Sequence, residues 1–154
     1  MKKVLITGGA GYLGSVLAEV LLNKGYKVTA LDNLSYKQTS VAPFVYNHNF
    51  KFVLGDVRDV SVLKPLVETH DVIIPLAAIV GMPACKASPQ AAIDINYQQV
   101  KNIVDWTHND QMIMIPNTNS QYGSSTEIIT EESQFKPLSL YAETKCDAEK
   151  AVLD

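Results

Sequence analysis

The sequence has 154 residues, enough for one domain, and the 47% that are hydrophobic can build a buried core. Its formal net charge of −3 and scattered cations argue against nucleic acid or an anionic membrane as a partner. No apolar run approaches the roughly 18 residues that span a bilayer. The separated Cys85 and Cys146 offer no zinc-ligand spacing, so we expect no metal and a reducing, cytoplasmic environment.

Short apolar runs alternate with stretches of helical periodicity. In chain order the patterns predict a strand at 3–7, a helix at 12–23, strands at 26–31 and 50–54, a helix at 60–69 interrupted at Pro65, a strand at 71–76, a helix at 89–108 capped by Ser88, a strand at 111–115 and a helix at 139–153. Residues 35–49 are expected to form an irregular loop with room for one short helix, and 79–87 to form a loop. The first helix should have one apolar face, formed by Leu13, Val16, Leu17, Val20 and Leu21. The 89–108 helix should bury Ile95, Ile103 and Val104.

The predicted strands are apolar almost throughout, which is typical of strands buried on both faces of a parallel sheet. Right-handed crossovers between such strands leave few topologies. We therefore predict an α/β fold of the Rossmann type: a doubly wound parallel sheet in the order 3-2-1-4-5, in three αβα layers, ending before a sixth strand. A single domain should cover 1–154.

A glycine-rich loop, TGGAGYLG at 7–14, joins the first strand to the first helix. In this context Gly8 permits the tight turn, Gly11 lets a pyrophosphate approach the backbone, and Gly14 lets helix and strand pack closely. The helix N-terminus then offers free N–H groups to phosphates. The alternative is a glycine-rich turn that binds no ligand.

An acid at the end of the second strand fits the same site. Asp32 stands there, where a carboxylate accepts hydrogen bonds from ribose hydroxyls and repels a 2′-phosphate. Because no arginine follows in 33–37, the sequence favours NAD over NADP. The alternative for Asp32 is a loop cap.

Further motifs follow in a characteristic order. They are Asp32-Asn33, Gly55-Asp56-Val57, Leu76-Ala77-Ala78, Asn96, the 118–123 segment and YAETK at 141–145. With the glycine loop, they resemble the extended short-chain dehydrogenase/reductase superfamily, and within it the NAD-dependent nucleotide-sugar epimerases and dehydratases, over essentially the whole sequence.

The resemblance implies roles for several residues. Asp56 would hold the adenine amino group, Val57 would pack near the ring, and Asn96 would lie behind the nicotinamide. The remaining implied cofactor contacts are Tyr12, Leu13, Asn33, Leu76, Ala77, Ala78, Tyr141 and Lys145.

Tyr141 and Lys145 are four residues apart, so a helix places them on one face. An ammonium favours a neighbouring phenolate, which can take the proton of a sugar hydroxyl as hydride leaves for NAD. The alternative is an exposed tyrosine above a solvated lysine. By resemblance Thr118 is the catalytic hydroxyl, with Ser120 as the second candidate.

Dehydratases of the family carry an Asp-Glu pair soon after this hydroxyl residue, whereas 119–122 reads Asn-Ser-Gln-Tyr. The absence of a carboxylate argues against dehydration and leaves epimerisation or simple oxidation of a sugar hydroxyl.

Family members are about twice this length, so we expect this chain to be the N-terminal part, without the domain that grips the nucleotide-sugar. The resemblance also implies a homodimer through the helices at 89–108 and 140–153. A second hypothesis for function is a non-catalytic NAD-binding module, a sensor or scaffold. Cys85 and Cys146 are expected to pack, and the three histidines to be surface or cap residues: His48, His70 and His108.

Overall fold

The computed structural model describes residues 1–124 and 128–153. Its strands are β1 (Lys3–Thr7), β2 (Lys27–Asp32), β3 (Phe50–Leu54), β4 (Val72–Pro75) and β5 (Met112–Ile113). Its α-helices are α1 (Tyr12–Asn23), α2 (Val60–Glu68), α3 (Met82–Ala87), α4 (Pro89–Ile93), α5 (Gln99–Trp106) and α6 (Leu140–Leu153). A π-helical segment (Asp94–Gln98) joins α4 to α5, and short 3-10 helices cover Ala42–Phe44 and Asn119–Tyr122.

The chain divides into two compact units. The sheet unit comprises Met1–Ala77 and Asn102–Ile115, and the helical unit comprises the described residues of Ala78–Lys101 and Pro116–Asp154.

The sheet unit contains all five strands, parallel and in the order β3-β2-β1-β4-β5, which confirms the predicted order. Val4, Ile6 and Val28 face α1 and form a core with its Ala18 and Leu22. Because side chains alternate along a strand, Leu5 and Thr29 face the opposite side, where Thr29 hydrogen-bonds His70 after α2. The sheet is therefore flanked by helices, as expected for a doubly wound fold.

The helical unit is built around α6, which packs against α3, α4, the π-helical segment and the 3-10 helix at Asn119–Tyr122. Its buried residues include both polar and apolar side chains: Cys85, Ala92, Asn96, Gln99, Val100, Gln121, Ala142, Thr144, Lys145, Cys146 and Ala148.

Several local predictions are wrong in detail. The predicted loop at 79–87 contains α3, which begins with Pro83 in its first turn. α2 runs through Pro65 without interruption. The 89–108 helix ends at Trp106 and contains the π-helical segment, and Ser88 makes no side-chain capping hydrogen bond.

Burial on two helices also differs from prediction. On α1 the buried residues are Gly14, Ala18 and Leu22, whereas Leu13, Val16 and Val20 are exposed. On the longer helix Ile103 is buried as predicted, but Ile95 and Val104 are half-buried. The π-helical segment shifts the buried face, so Asn96, Gln99 and Val100 point inward instead.

His70 corrects the expectation of a surface or cap residue. It is buried, with Nδ1 2.6 Å from the Leu66 carbonyl and Nε2 2.7 Å from the Thr29 hydroxyl. Since a carbonyl only accepts, Nδ1 carries the proton and Nε2 accepts from Thr29. Burial lowers the pKa of His70, which favours this neutral form.

Candidate functional site

The glycine loop is held by contacts that leave no room for side chains. Gly8 has a φ of +66°, and a Cβ there would lie 2.7 Å from the Ala77 nitrogen. A Cβ on Gly14 would lie 2.5 Å from the Gly8 carbonyl oxygen. The roles predicted for these two glycines, a tight turn and close packing of helix on strand, therefore have a steric basis.

The N-terminus of α1 follows directly from this loop. Gly11 occupies the cap position in an extended conformation, and because it is a glycine it has no side chain that could cap the helix. A Cβ on Gly11 would meet only the Gly8 oxygen, at 3.1 Å, so the space outside the loop is open. Tyr12 and Leu13 are both exposed. An uncapped helix end beside glycines is suited to an anionic group such as a pyrophosphate.

Asp32 links the end of β2 to the glycine loop. Its Oδ2 accepts a hydrogen bond from the Ala10 amide at 3.0 Å, and its Oδ1 accepts one from the Leu34 amide at 2.8 Å. The residue is 8% exposed. Each carboxylate oxygen can accept a second hydrogen bond, so the cap role and a role toward ribose hydroxyls are compatible.

Asp56 is engaged more fully than the sequence suggests. Arg58 donates to both carboxylate oxygens, from Nε at 2.9 Å and from its terminal nitrogen at 2.7 Å. The Arg58 amide and the Asn33 side chain, at 2.9 and 3.2 Å, donate as well. Hydrogen bonds from Arg58 hold the pKa of Asp56 well below its usual value. Four donors fill the acceptor capacity of a carboxylate, so contact with an adenine amino group would require one donor to leave.

The residues at the end of β4 lie beside β1. The Leu76 amide donates to the Thr7 carbonyl at 3.0 Å, and the Ala77 amide donates to the Thr7 hydroxyl at 3.3 Å. Leu76 and Ala77 are half-buried, and Val57, after β3, is 7% exposed. Sheet pairing thus brings this backbone close to Gly8, so close that a Cβ on Gly8 would lie 2.7 Å from the Ala77 nitrogen.

In the helical unit, Asn96 fastens the π-helical segment to its surroundings. Its Oδ1 accepts from the Ile79 amide at 2.8 Å, and its Nδ2 donates to the Ile79 carbonyl at 3.0 Å and the Thr144 hydroxyl at 3.3 Å. The side chain is 2% exposed. Asn96 therefore positions the backbone after Ala78 and one turn of α6.

Tyr141 and Lys145 lie one turn apart on α6, as predicted. Tyr141 is half-buried, and Lys145 is 7% exposed, so the alternative of a solvated lysine is contradicted. Burial lowers the pKa of Lys145, and the carboxylate of Glu149 opposes that shift. Thr144, between them, donates from its hydroxyl to the Tyr141 carbonyl at 2.9 Å.

Thr118 precedes the 3-10 helix that packs on α6. Its hydroxyl oxygen accepts from the Ser120 amide at 3.2 Å, which leaves its O–H free to donate. Ser120 is exposed. Gln121 is buried, and the amide orientation that satisfies both its atoms donates to Asn117 Oδ1 at 2.6 Å and Glu149 Oε2 at 3.3 Å.

Sequence reasoning missed Arg58 and Ser40. The Asp56-Val57-Arg58 spacing, an acid and a base two residues apart, was the available signal for the first. Ser40 donates to the Ala10 carbonyl at 2.5 Å from a segment predicted to be irregular, so no local pattern marked it.

Among the described residues, no three His, Cys, Asp or Glu side chains gather in a way that would hold a metal ion. Within 1–124 and 128–153, no helix combines the length and apolar character needed to cross a bilayer. Both cysteines are free and buried.

Comparison with known proteins gives consistent matches. The model of the "NAD dependent epimerase/dehydratase family" matches residues 4–154. UDP-N-acetyl-alpha-D-glucosaminuronate decarboxylase of Bacillus cytotoxicus is 33% identical over 85% of this chain and 41% of its own length. UDP-glucuronate 4-epimerase of Thermodesulfobacterium geofontis is 30% identical over 94% of this chain and 48% of its own length.

Among solved structures, UDP-glucuronic acid 4-epimerase from Bacillus cereus, in complex with UDP-glucuronic acid and NAD, superposes with a TM-score of 0.86 at 27% identity. The match covers 97% of this chain and 50% of that one. The chain thus spans about half the length of the relatives it matches.

Proposed function

The chain belongs to the NAD dependent epimerase/dehydratase family, and we propose that its protein uses NAD to oxidise a ring hydroxyl of a nucleotide-activated sugar. A sugar 4-epimerase or a C4 oxidoreductase is the proposed activity. The observation that carries the proposal is Lys145, buried in the helical unit one turn from Tyr141 on α6. A charged side chain is costly to bury, which a structural role alone does not explain.

The residues of the sheet unit fit a dinucleotide. Gly8, Gly11 and Gly14 keep the N-terminus of α1 open to a pyrophosphate, and Asp32 retains acceptor capacity for ribose hydroxyls. When bound, NAD supplies a hydride acceptor. Asp32 would also repel the 2′-phosphate of NADP, because its carboxylate cannot donate a hydrogen bond.

The helical unit supplies the acid–base groups. Tyr141 Oη would take the proton of the sugar hydroxyl, and the Lys145 ammonium would stabilise the resulting phenolate. Burial strengthens that electrostatic effect because little water screens it. Thr118 would donate its free O–H to the reacting oxygen and fix its position.

The test is the pair Tyr141→Phe and Tyr46→Phe, the second being a control at a side chain that is 96% exposed. Removing the base should lower hydride transfer by at least about 100-fold, the low end of general-base contributions. NADH absorbance would be followed with UDP- and dTDP-sugars, and NAD binding by calorimetry. Equal activity of the two variants, with NAD bound by both, refutes the assignment of Tyr141.

A non-catalytic NAD-binding module remains the second hypothesis. It predicts that NAD stabilises the chain while no sugar nucleotide yields NADH. The buried Lys145 favours the enzyme, since a sensor has no need of an ammonium beside a tyrosine. Among enzymes, the absence of a carboxylate at 119–122 supports epimerisation or oxidation over dehydration.

Cofactor choice is tested by the thermal midpoint of the 154-residue chain, alone and with NAD or NADP at matched concentration. A ligand that binds the native state raises the midpoint by mass action. NAD should stabilise more than NADP, and Asp32→Ala should reduce that difference. A chain that NADP stabilises equally would contradict the ribose role.

The proposal includes a nucleotide-sugar substrate, a homodimer through the helices at 89–108 and 140–153, and a cytoplasmic location. The free, buried Cys85 and Cys146 support a reducing compartment. Light scattering at high protein concentration tests the dimer, and a monomeric mass would contradict it.

A further inference from the structure

The sheet unit contains a cationic cavity at the edge where its strands begin. The cavity has a volume of about 290 Å³, and its lining includes Lys3 from β1, Lys27 from β2 and Lys51 from β3. Phe50 and Asn49 also line it. We call this feature the lysine edge.

Sheet register gathers these lysines on one face. Lys3 pairs with Lys27 across β1 and β2, and Lys51 pairs with Thr29 across β2 and β3. Paired residues of parallel strands share a face, as do residues two apart, so all three side chains project from the same side. Adjacent strands are about 4.8 Å apart. Lys3 and Lys27 are therefore like charges in direct opposition, which destabilises a sheet.

Neighbouring groups do little to offset this charge. Arg58 pairs with Asp56 and Lys64 pairs with Glu68, so neither of these ion pairs involves Lys3, Lys27 or Lys51. Asp71 does reach the edge, where its Oδ2 accepts from the Lys3 backbone amide at 2.6 Å. Among the described residues, the cavity lining contains three lysines and no carboxylate, so the edge stays cationic even with Asp71 beside it.

His70 and Thr29, which also line the cavity, are occupied with each other. The Thr29 hydroxyl donates to His70 Nε2 at 2.7 Å, and His70 Nδ1 donates to the Leu66 carbonyl. In this arrangement His70 is neutral and adds no charge. The three lysines therefore remain available to an incoming anion, with His48 and Asn49 also in the lining.

We propose that the lysine edge is a second anion-binding site, which takes the phosphate group of a small phosphorylated molecule. A compact dianion relieves the repulsion between Lys3 and Lys27 and accepts hydrogen bonds from several ammonium groups. The cavity volume, near the lower limit for small-molecule sites, suits such a ligand better than a polymer.

This site is distinct from the glycine loop. Lys3 begins β1 and Thr7 ends it, with the glycine loop following at Gly8. A five-residue strand is about 16 Å long, so the two sites lie at opposite ends of the sheet unit. Binding at one leaves the other accessible, and the proposal does not rest on the proposed function.

The test is a titration of the isotope-labelled 154-residue chain with inorganic phosphate at constant ionic strength, followed by amide chemical shifts. Phenyl phosphate is a second probe, which tests whether the cavity admits a phosphate group that carries an organic substituent. The variants are Lys27→Gln, Lys51→Gln and the double variant, with Lys27→Arg to retain charge. Lys24→Gln, an exposed residue at the end of α1, is the matched control.

We expect the amide chemical shifts of residues 27–29 and 50–51 to change with phosphate concentration and to reach saturation. Each single Gln variant should weaken phosphate about threefold and the double variant about tenfold, as for exposed ion pairs, while Lys27→Arg and Lys24→Gln bind normally. Spectra of the free variants verify that they fold. Shifts confined to 8–14, shifts that do not saturate, or equal weakening by Lys24→Gln would each overturn the proposal.

Discussion

The substitution Gly8→Ala carries two physical costs, one from backbone conformation and one from steric contact. Gly8 has a φ of +66°, which costs an alanine about 1–2 kcal/mol. In addition its Cβ would lie 2.7 Å from the Ala77 nitrogen and 2.8 Å from the Ala77 Cα. Backbone atoms at that distance must move, and such overpacking costs about 1–3 kcal/mol. Alanine also restricts the unfolded chain, which returns about 0.4–1 kcal/mol.

Gly25 is the matched control. Its φ of +82° carries the same conformational cost, but a Cβ there would meet nothing within 4 Å. We expect Gly8→Ala to lower the free energy of unfolding by about 2–4 kcal/mol, and Gly25→Ala by about 1 kcal/mol or less. The difference between the two variants is the steric contribution of the contact with Ala77.

Urea unfolding of the 154-residue chain, followed by circular dichroism, measures both values. The slope with denaturant should stay constant, so that midpoints report stability. Equal destabilisation by the two variants would refute the claim that Ala77 crowds Gly8, and with it the packing of the β4 end against the glycine loop.

Three further predictions concern hydrogen-bonded side chains. Burial lowers the pKa of His70, so the unfolded chain binds a proton on this side chain more readily than the folded chain does. The free energy of unfolding should therefore fall as pH drops below about 6.5. His70→Gln should reduce this pH dependence, measured as urea midpoints between about pH 5 and 7.5. A wild-type slope retained in the variant would refute the assignment of the effect to His70. Asn96→Ala leaves the Ile79 amide and carbonyl without their partner and should cost about 2–4 kcal/mol, whereas loss of less than 1 kcal/mol would mean that water replaces the side chain. Arg58→Gln removes a pair whose side chains are 46% and 28% exposed, so it should cost about 1 kcal/mol or less. Because the pKa of Asp56 is lowered in the folded chain, the pair stabilises the fold above the ordinary pKa of an aspartate, near 3.9, and loses this effect as pH falls below it. The unfolding free energies of the wild type and Arg58→Gln, measured during acid titration, should therefore converge at low pH.

Elements with strong local signals were predicted closely. The bounds of β1, α1 and β3 match because an apolar run or helical period ends at a glycine or polar turn in each case. α3 was missed because a six-residue helix has too few turns to show a period. The exposure of Leu13 on α1 was missed because periodicity marks an apolar face without saying how much of it is covered.

The sequence by itself determined the parallel sheet, its strand order, the glycine loop with Asp32, and the Tyr141–Lys145 pair, because each depends on spacing within a strand, a turn or a helix. Only the tertiary structure decided which polar side chains already have hydrogen-bond partners. The Asn33–Asp56 hydrogen bond joins residues 23 apart, and the His70–Thr29 bond joins residues 41 apart. Likewise Lys3, Lys27 and Lys51 share an edge only through strand register. Such contacts depend on how elements that are distant in sequence pack together, and local sequence propensity does not predict that packing.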